Sequence, residues 1–424
     1  MISPFSAALS LLSLTTLYAH GQITSISETE TKIISSAWLA GWHTANATPT
    51  FDLNNISWSK YTDMFFSFAM EVESDSRLPT ADTQVLTLNG SNGDALPSFV
   101  HQAHANGVNA HVSVGGWGGS IYFSTAMGSA ENRTQFVKAI TDFATNYSLD
   151  GINFDWEYPN KQGIGCNIVN ANDTDNFLAF LQEVRTDPVG ANLTLSAATA
   201  ITPFFDSKGN ALTNVSAFAD VFDFVTVMNY DVWGSWSTGV GPNAPLNDSC
   251  AAKPNQQGSA VSAVAAWYTA GMPVDKIVLG VPSYGHSFSV NQTSAFVSST
   301  ELAAYPPFNA TAFPLGDSWD TGATEPDACG LLENNGDLMN AVKRYVAVDT
   351  RGFDPWIADI TFQPYLYVED AELMISFDNA ESFTAKGNFI AEYGLAGFAM
   401  WEAGGDFNDI LLDAIRAAVG LDDC

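Results

Sequence analysis

The sequence predicts an α/β fold, a (β/α)8 TIM barrel with a small α+β insertion subdomain between strands seven and eight. Three observations carry this expectation. Eight short apolar runs recur along the 424 residues, amphipathic segments with polar or acidic starts lie between most of them, and more than 100 residues separate the seventh run from the eighth. Short runs that are apolar throughout suit strands buried on both faces, as in a parallel sheet covered by helices. Their alternation with helices describes a barrel, with a doubly wound open sheet as the competing arrangement.

In chain order the runs are 36–41, 64–69, 108–115, 151–156, 193–199, 224–229, 277–282 and 395–401. The clearest helical segments are 132–146, 173–185, 259–270 and 380–393, which start on the residue types that suit helix N-termini. The stretch 290–364 is polar, aromatic and turn-rich, and is assigned to the insertion. The chain is thus divided into a secretion signal over 1–20 and a catalytic domain over 21–424 that contains the insertion. No Ser/Thr/Pro-rich linker marks an appended binding module.

Hydrophobic residues make up 46% and charged residues only 14%, which excludes disorder, collagen and coiled coil. Against 15 Lys+Arg stand 46 Asp+Glu, a formal charge of −31 that repels phosphate backbones and anionic lipid, so neither nucleic acid nor membrane is an expected partner. The apolar stretch from Ala7 to Tyr18, about a dozen residues, is too short for a membrane span of roughly 20 and reads as a secretion signal. Eleven N-x-S/T acceptors between Asn46 and Asn309 fit a secreted, extracellular glycoprotein. Cys166, Cys250, Cys329 and Cys424 fit two disulfides in an oxidising compartment, with three pairings open. No hydrophobic tail follows Cys424, so no lipid anchor is expected. Nothing demands more than a monomer.

The strongest chemical signal is Asp150-Gly-Ile-Asn153-Phe-Asp155-Trp-Glu157-Tyr-Pro159, at the end of the fourth run. Side chains alternate along a strand, so Asn153, Asp155 and Glu157 share one face while Ile152, Phe154 and Trp156 share the other. The polar face is assigned to the lumen, at the strand end where barrel enzymes place their chemistry. Two acids this close perturb each other, and Asp155 helps keep Glu157 protonated near neutral pH, as a general acid requires.

This segment resembles the DxxDxDxE signature of glycoside hydrolase family 18, the chitinases and their relatives. Ser113-Val-Gly-Gly-Trp117 resembles the family's strand-three motif, Met228-Asn-Tyr-Asp231 its strand-six motif, Gly280-Val-Pro-Ser-Tyr-Gly285 its strand-seven motif, and Gly397-Phe-Ala-Met-Trp-Glu402 its strand-eight end. The resemblance spans about residues 30–420. It departs at the middle signature Asp, which is Asn153 here. An amide removes one charge from the coupled set, which makes Asp155 easier to ionise and Glu157 easier to deprotonate.

The resemblance implies a secreted chitinase that hydrolyses β-1,4-linked N-acetylglucosamine polymers with retention, the substrate's own acetamido oxygen being the nucleophile. It implies Glu157 as general acid and base, Asp155 as partner of the acetamido nitrogen, and Tyr230 as donor to the acetamido carbonyl. Asp231 and Asn153 complete the implied catalytic set, with Asp231 and the substrate-binding Met228 shaping the same pocket. Sugar rings suit flat aromatic shelves. Trp401 is the implied floor at the cleavage point, with Trp117, Trp236, Trp42 and Tyr284 along a cleft for chitin and chito-oligosaccharides. A chitin lectin of the same fold and an endo-β-N-acetylglucosaminidase acting on N-glycans are the rival functions.

No cofactor and no metal are expected. His101, His104 and His111 lie close in sequence without a fourth ligand. Gly115, Gly116, Gly118 and Gly119 have no Lys or Arg beside them to hold phosphate, and read as a tight turn.

Overall fold

Eight parallel strands close on themselves. They are β1 (Ile34–Ala40), β2 (Asp63–Glu71), β3 (Asn109–Gly115), β4 (Gly151–Asp155), β5 (Thr194–Thr199), β6 (Phe224–Met228), β7 (Ile277–Pro282) and β8 (Gly397–Trp401). Each pairs with its predecessor, and β8 returns to β1 with Met400 opposite Ala37, so the barrel replaces the open-sheet alternative. The computed structural model describes residues 32–45, 47–71, 86–88, 90–299, 301–312, 314, 319, 337–339 and 363–421. The expected signal segment 1–20 lies outside them. No helix among the described residues is long and apolar enough to cross a membrane.

Every expected run coincides with a strand to within two residues. The last begins late because Leu395 still belongs to the end of the preceding helix, where its N–H closes onto Ile390 O after Gly394 turns left-handed at φ 66°. The four expected helices are Ala130–Tyr147, Asp173–Thr186, Ala260–Thr269 and Ala380–Tyr393. Ser129, Ser259 and Asn379 cap three of them with side-chain oxygens on backbone N–H groups.

The outward set of β4 explains the inward one. Ile152, Phe154 and Trp156 are buried against the helices, with Phe154 edge-on to Phe180 at 5.5 Å and Trp156 stacked on Phe123 at 5.1 Å. Burying each such side chain stabilises by about 1.5–3 kcal/mol, so the strand's facing is not negotiable. Asn153 and Asp155 are thereby turned into the lumen.

After β7 the chain runs into a four-stranded antiparallel sheet made of Tyr284–Ser289, Asp337–Met339, Tyr365–Val368 and Leu373–Ser376. It draws one strand from within the range 290–364, much of which lies outside the described residues, and three from its flanks. Phe288, Tyr365, Tyr367 and Met374 give the sheet a core of its own, joined by Val240 from the loop after β6. Because its first strand follows β7 almost directly, it carries Tyr284 and His286 to the loop after β6. Cys166 is disulfide-bonded, whereas Cys250 is a free, exposed thiol. The expectation that all four cysteines pair is corrected accordingly.

Candidate active site

Asn153 pairs in register with Ser113 of β3 and Ser196 of β5, so their side chains share one level of the lumen. Trp38 Nε1 donates to Ser113 Oγ at 2.8 Å, Ser113 Oγ donates to Asn153 Oδ1 at 2.9 Å, and Asn153 Nδ2 donates to Ser196 Oγ at 2.9 Å. The amide is thus satisfied at both ends by neutral partners.

Asp155 sits one level higher, 5% exposed, and its Oδ1 has no hydrogen-bond partner among the described residues. Burial pushes its carboxyl up to about 7 even above a neutral Asn153. The double glycine beside it has a steric cause. A Cβ on Gly115, at φ 107°, would lie 2.4 Å from Asp155 O, and one on Gly116, at φ 82°, would lie 2.7 Å from the Phe68 ring. Only glycine lets β3 turn this close to the site.

Glu157 is held through its backbone. Its N–H donates to Ser120 Oγ at 2.9 Å and its carbonyl accepts from Asn167 Nδ2 at 2.7 Å, while Ser120 Oγ donates to Gly116 O at 2.8 Å. The side chain is buried. Burial, then the charges of Asp155 and Asp231, hold its proton well above the usual carboxylate range against an opposing hydrogen bond from Tyr158. Burial and the same acids keep the half-buried Tyr230 phenol protonated, so it remains a donor.

Met228 lines the lumen below Tyr230. Asp231 is left-handed at φ 55°, and its N–H donates to Asn243 Oδ1 at 2.8 Å. Its Oδ1 accepts from Tyr284 Oη at 2.6 Å and lies 2.9 Å from His286 Nε2. Tyr284, expected on the substrate surface, is therefore buried with its hydroxyl on Asp231.

Trp401 stacks on Phe68 with centroids 5.4 Å apart and planes at 21°, and lies 6.3 Å from Trp42 and 6.0 Å from Trp38. These rings, from β1 and the turn after it, β2 and β8, make one aromatic floor. Trp117 and Trp236, which follow β3 and β6, are 42% and 57% exposed.

The structure thus gathers Asn153, Asp155, Glu157, Met228, Tyr230 and Asp231 around the lumen's end, and Trp42 with Trp401. Sequence reasoning missed Phe68, Ser120, His286 and a buried pair beneath the floor, His43 Nδ1 to Glu402 Oε1 at 3.2 Å. Strict alternation would send Phe68 outward with Phe66. A register irregularity between Ser67 and Ala69 turns it toward Trp401 instead. The only signal for Glu402 was its place after Trp401. His104 lies 2.7 Å from Asp150 and His111 2.9 Å from Asp63, and no group of three or more potential metal ligands occurs among the described residues.

A buried acid that keeps its proton, a second buried carboxyl with a free oxygen and a phenol donor, beside flat aromatic rings, can protonate a leaving oxygen and stabilise adjacent positive charge. Comparison with known proteins agrees in family. A chitinase-like effector of Moniliophthora perniciosa is 48% identical, covering 92% of this chain and 88% of its own length. One of Moniliophthora roreri is also 48% identical, covering 92% and 93%. A crystal structure of a chitinase from Rhizomucor miehei superimposes with a TM-score of 0.79 at 30% identity, over 91% of this chain and 99% of that one. The profile of glycosyl hydrolases family 18 matches residues 36–406, and the chain belongs to that family.

Proposed function

We propose that the protein is a secreted chitinase that hydrolyses β-1,4-linked N-acetylglucosamine polymers with retention through an oxazolinium intermediate. The observation that carries this reading is the pair formed by a protonated, buried Glu157 and an Asp155 whose buried oxygen has no partner. An unsatisfied buried acceptor is costly unless a ligand supplies the donor, and an acetamido N–H is such a donor.

In the first step Glu157 gives its proton to the glycosidic oxygen as the C1–O bond breaks, and the acetamido oxygen bonds to C1 from the opposite face. Asp155 accepts the acetamido N–H. The positive charge arriving there favours an ionised Asp155, offsetting the burial that holds its proton. Tyr230 donates to the acetamido oxygen and holds it below C1. In the second step Glu157, now a carboxylate, takes a proton from water as that water attacks C1 and the oxazolinium opens, which retains configuration. Trp401 offers a flat face to the reacting ring, with Trp42, Trp117 and Trp236 as shelves for further sugars.

The test is hydrolysis of a fluorogenic chitotriose glycoside by wild type and Glu157→Gln between about pH 3 and 8, around the carboxyl reference range. The variant is expected to lose at least about 100-fold in kcat, the scale of general acid catalysis. Two relatives named chitinase-like effectors motivate a second reading, chitin binding without turnover. Wild type that binds chitin and turns over no substrate would establish it instead.

A further inference from the structure

Glu157 lies beyond the sheet that aims it. The last ladder bond from the β3 side runs from Gly116 N–H to Asp155 O at 2.8 Å, and the register pairs of β4 end at Asp155. Two residues further on, the buried Glu157 peptide has no strand beside it, and its N–H and C=O would be costly to leave without partners. Side chains take the place of the ladder. Ser120 Oγ accepts the N–H at 2.9 Å, and Asn167 Nδ2 donates to the carbonyl at 2.7 Å.

Asn167 returns to Glu157 through a closed loop. Lys161 N–H donates to Tyr158 O at 3.2 Å. Asn160, left-handed at φ 61°, accepts from Thr174 N–H and donates to Ala171 O, which ties the loop to the start of the helix Asp173–Thr186. Gly163 passes so close that a Cβ on it would lie 2.0 Å from Glu157 O and 3.2 Å from Asn167 Nδ2. The Gln162 side chain then holds Asn167 by both backbone groups, Oε1 accepting its N–H at 2.9 Å and Nε2 donating to its carbonyl at 3.1 Å. Cys166, the residue before it, is disulfide-bonded. An amide fixed this firmly at its own backbone passes that position on to the peptide it grips.

The fourth polar group of Asn167 has no such partner. The residue is 7% exposed, and its Oδ1 is buried without a hydrogen bond among the described residues. An acceptor left in that state lowers stability. An apolar side chain of the same branching would fill the place without the penalty, so stability alone does not account for an asparagine here. What the amide adds is the donor toward Glu157.

We propose that Asn167 is a positioning residue for the hydrolytic reaction: its amide fixes the Glu157 peptide so that the carboxyl meets the glycosidic oxygen, at a cost to the stability of the fold. This rests on the chitinase reading above. Asn167 acts through Glu157 rather than on the reacting atoms.

Asn167→Leu keeps the branched shape and removes both polar groups. On a fluorogenic chitotriose glycoside it is expected to lower kcat per folded molecule by about 10- to 100-fold, the scale of an acid displaced by up to an ångström, with KM within about twofold. Its Tm is expected to stay within about 2 °C of wild type or to rise, because relief of the unpaired oxygen offsets the lost hydrogen bond. An unchanged kcat per folded molecule overturns the proposal, as does a rate loss explained by a lower Tm alone, the mark of a purely structural residue. Should Asn167→Leu not fold, Gln162→Ala decides. Gln162 is exposed and bonds to Asn167 and Gly165, so its loss loosens Asn167 and leaves the amide in place. There kcat is expected to fall several-fold at unchanged KM, and no fall overturns the proposal. Hydrogen exchange gives a readout without turnover: the segment 155–168 is expected to exchange several-fold faster in Asn167→Leu, or in Gln162→Ala, than in wild type. An inactive wild type with that quickening present would sink the chitinase reading and keep the clasp. Equal exchange would sink the clasp itself.

Discussion

The lumen holds buried carboxyls at both ends, and they behave oppositely. At the bottom, burial pushes Asp63 up, but the hydrogen bond and charge of His111, with hydrogen bonds from Thr62 and Asn109, outweigh it and hold the carboxyl down at about 2. At the top, Asp155 has burial and no compensating donor, and rises to about 7. Depth is similar at the two ends, so donors decide the direction. The satisfied end contributes stability, whereas the upper end keeps an oxygen without a partner among the described residues, which under the proposed function is the place of the substrate, at the strand ends where barrel enzymes gather their chemistry.

The most severe way to break this contrast is to neutralise the upper acid. Asp155→Asn is expected to lower kcat on chitotriose glycosides about 100-fold, the scale of one lost electrostatic contact to the reacting group. It should at the same time stabilise the fold at pH 8. A folded-state carboxyl raised to about 7 contributes stability below about 4 that is lost as pH rises toward 7, so a neutral side chain removes that loss. Thermal unfolding is expected to show a Tm several degrees above wild type at pH 8 and no difference at pH 4. An equal Tm at both would mean that Asp155 is not strained by burial.

The converse change at the lower end is smaller and of opposite sign. Asp63→Asn is expected to destabilise by about 2 kcal/mol at pH 7, from a depression of nearly two units at about 1.4 kcal/mol each. A depressed carboxyl contributes stability above about 4 that disappears as pH falls through about 2. Urea unfolding should therefore separate wild type from variant at pH 7 and bring them together near pH 2, with activity per folded molecule unchanged. A persistent gap near pH 2 would place the effect in packing.

These two ends were not equally legible. The barrel and the inward facing of Asn153, Asp155 and Glu157 follow from local pattern, because strands apolar throughout must be covered and a period of two fixes the rest. What escaped is what depends on partners distant in sequence. Asp63 and His111 meet because β2 and β3 pair, with Phe65 opposite His111. His286 reaches Asp231 across 55 residues, on a sheet whose register no local pattern specifies. Phe68 joined the floor through an irregularity that breaks the same alternation that located the acids.

The finest test acts between the two ends, at Asn153. Its amide lies in a neutral chain from Trp38 through Ser113 to Ser196, one level below Asp155. An aspartate of nearly the same shape would keep the Ser113 hydrogen bond, and Ser196 could turn its hydroxyl to donate in place of accepting. Asn153→Asp is therefore expected to fold and to add a negative charge beneath two acids that already hold their protons. The added charge raises both, so the basic limb of kcat/KM should move up by about 0.5–1 pH unit, leaving wild type with the more acidic profile. Superimposable profiles would mean that the new carboxyl is itself protonated across the working range. The asparagine would then matter for hydrogen bonding rather than charge, and burial alone would set the acidity of the pair above it.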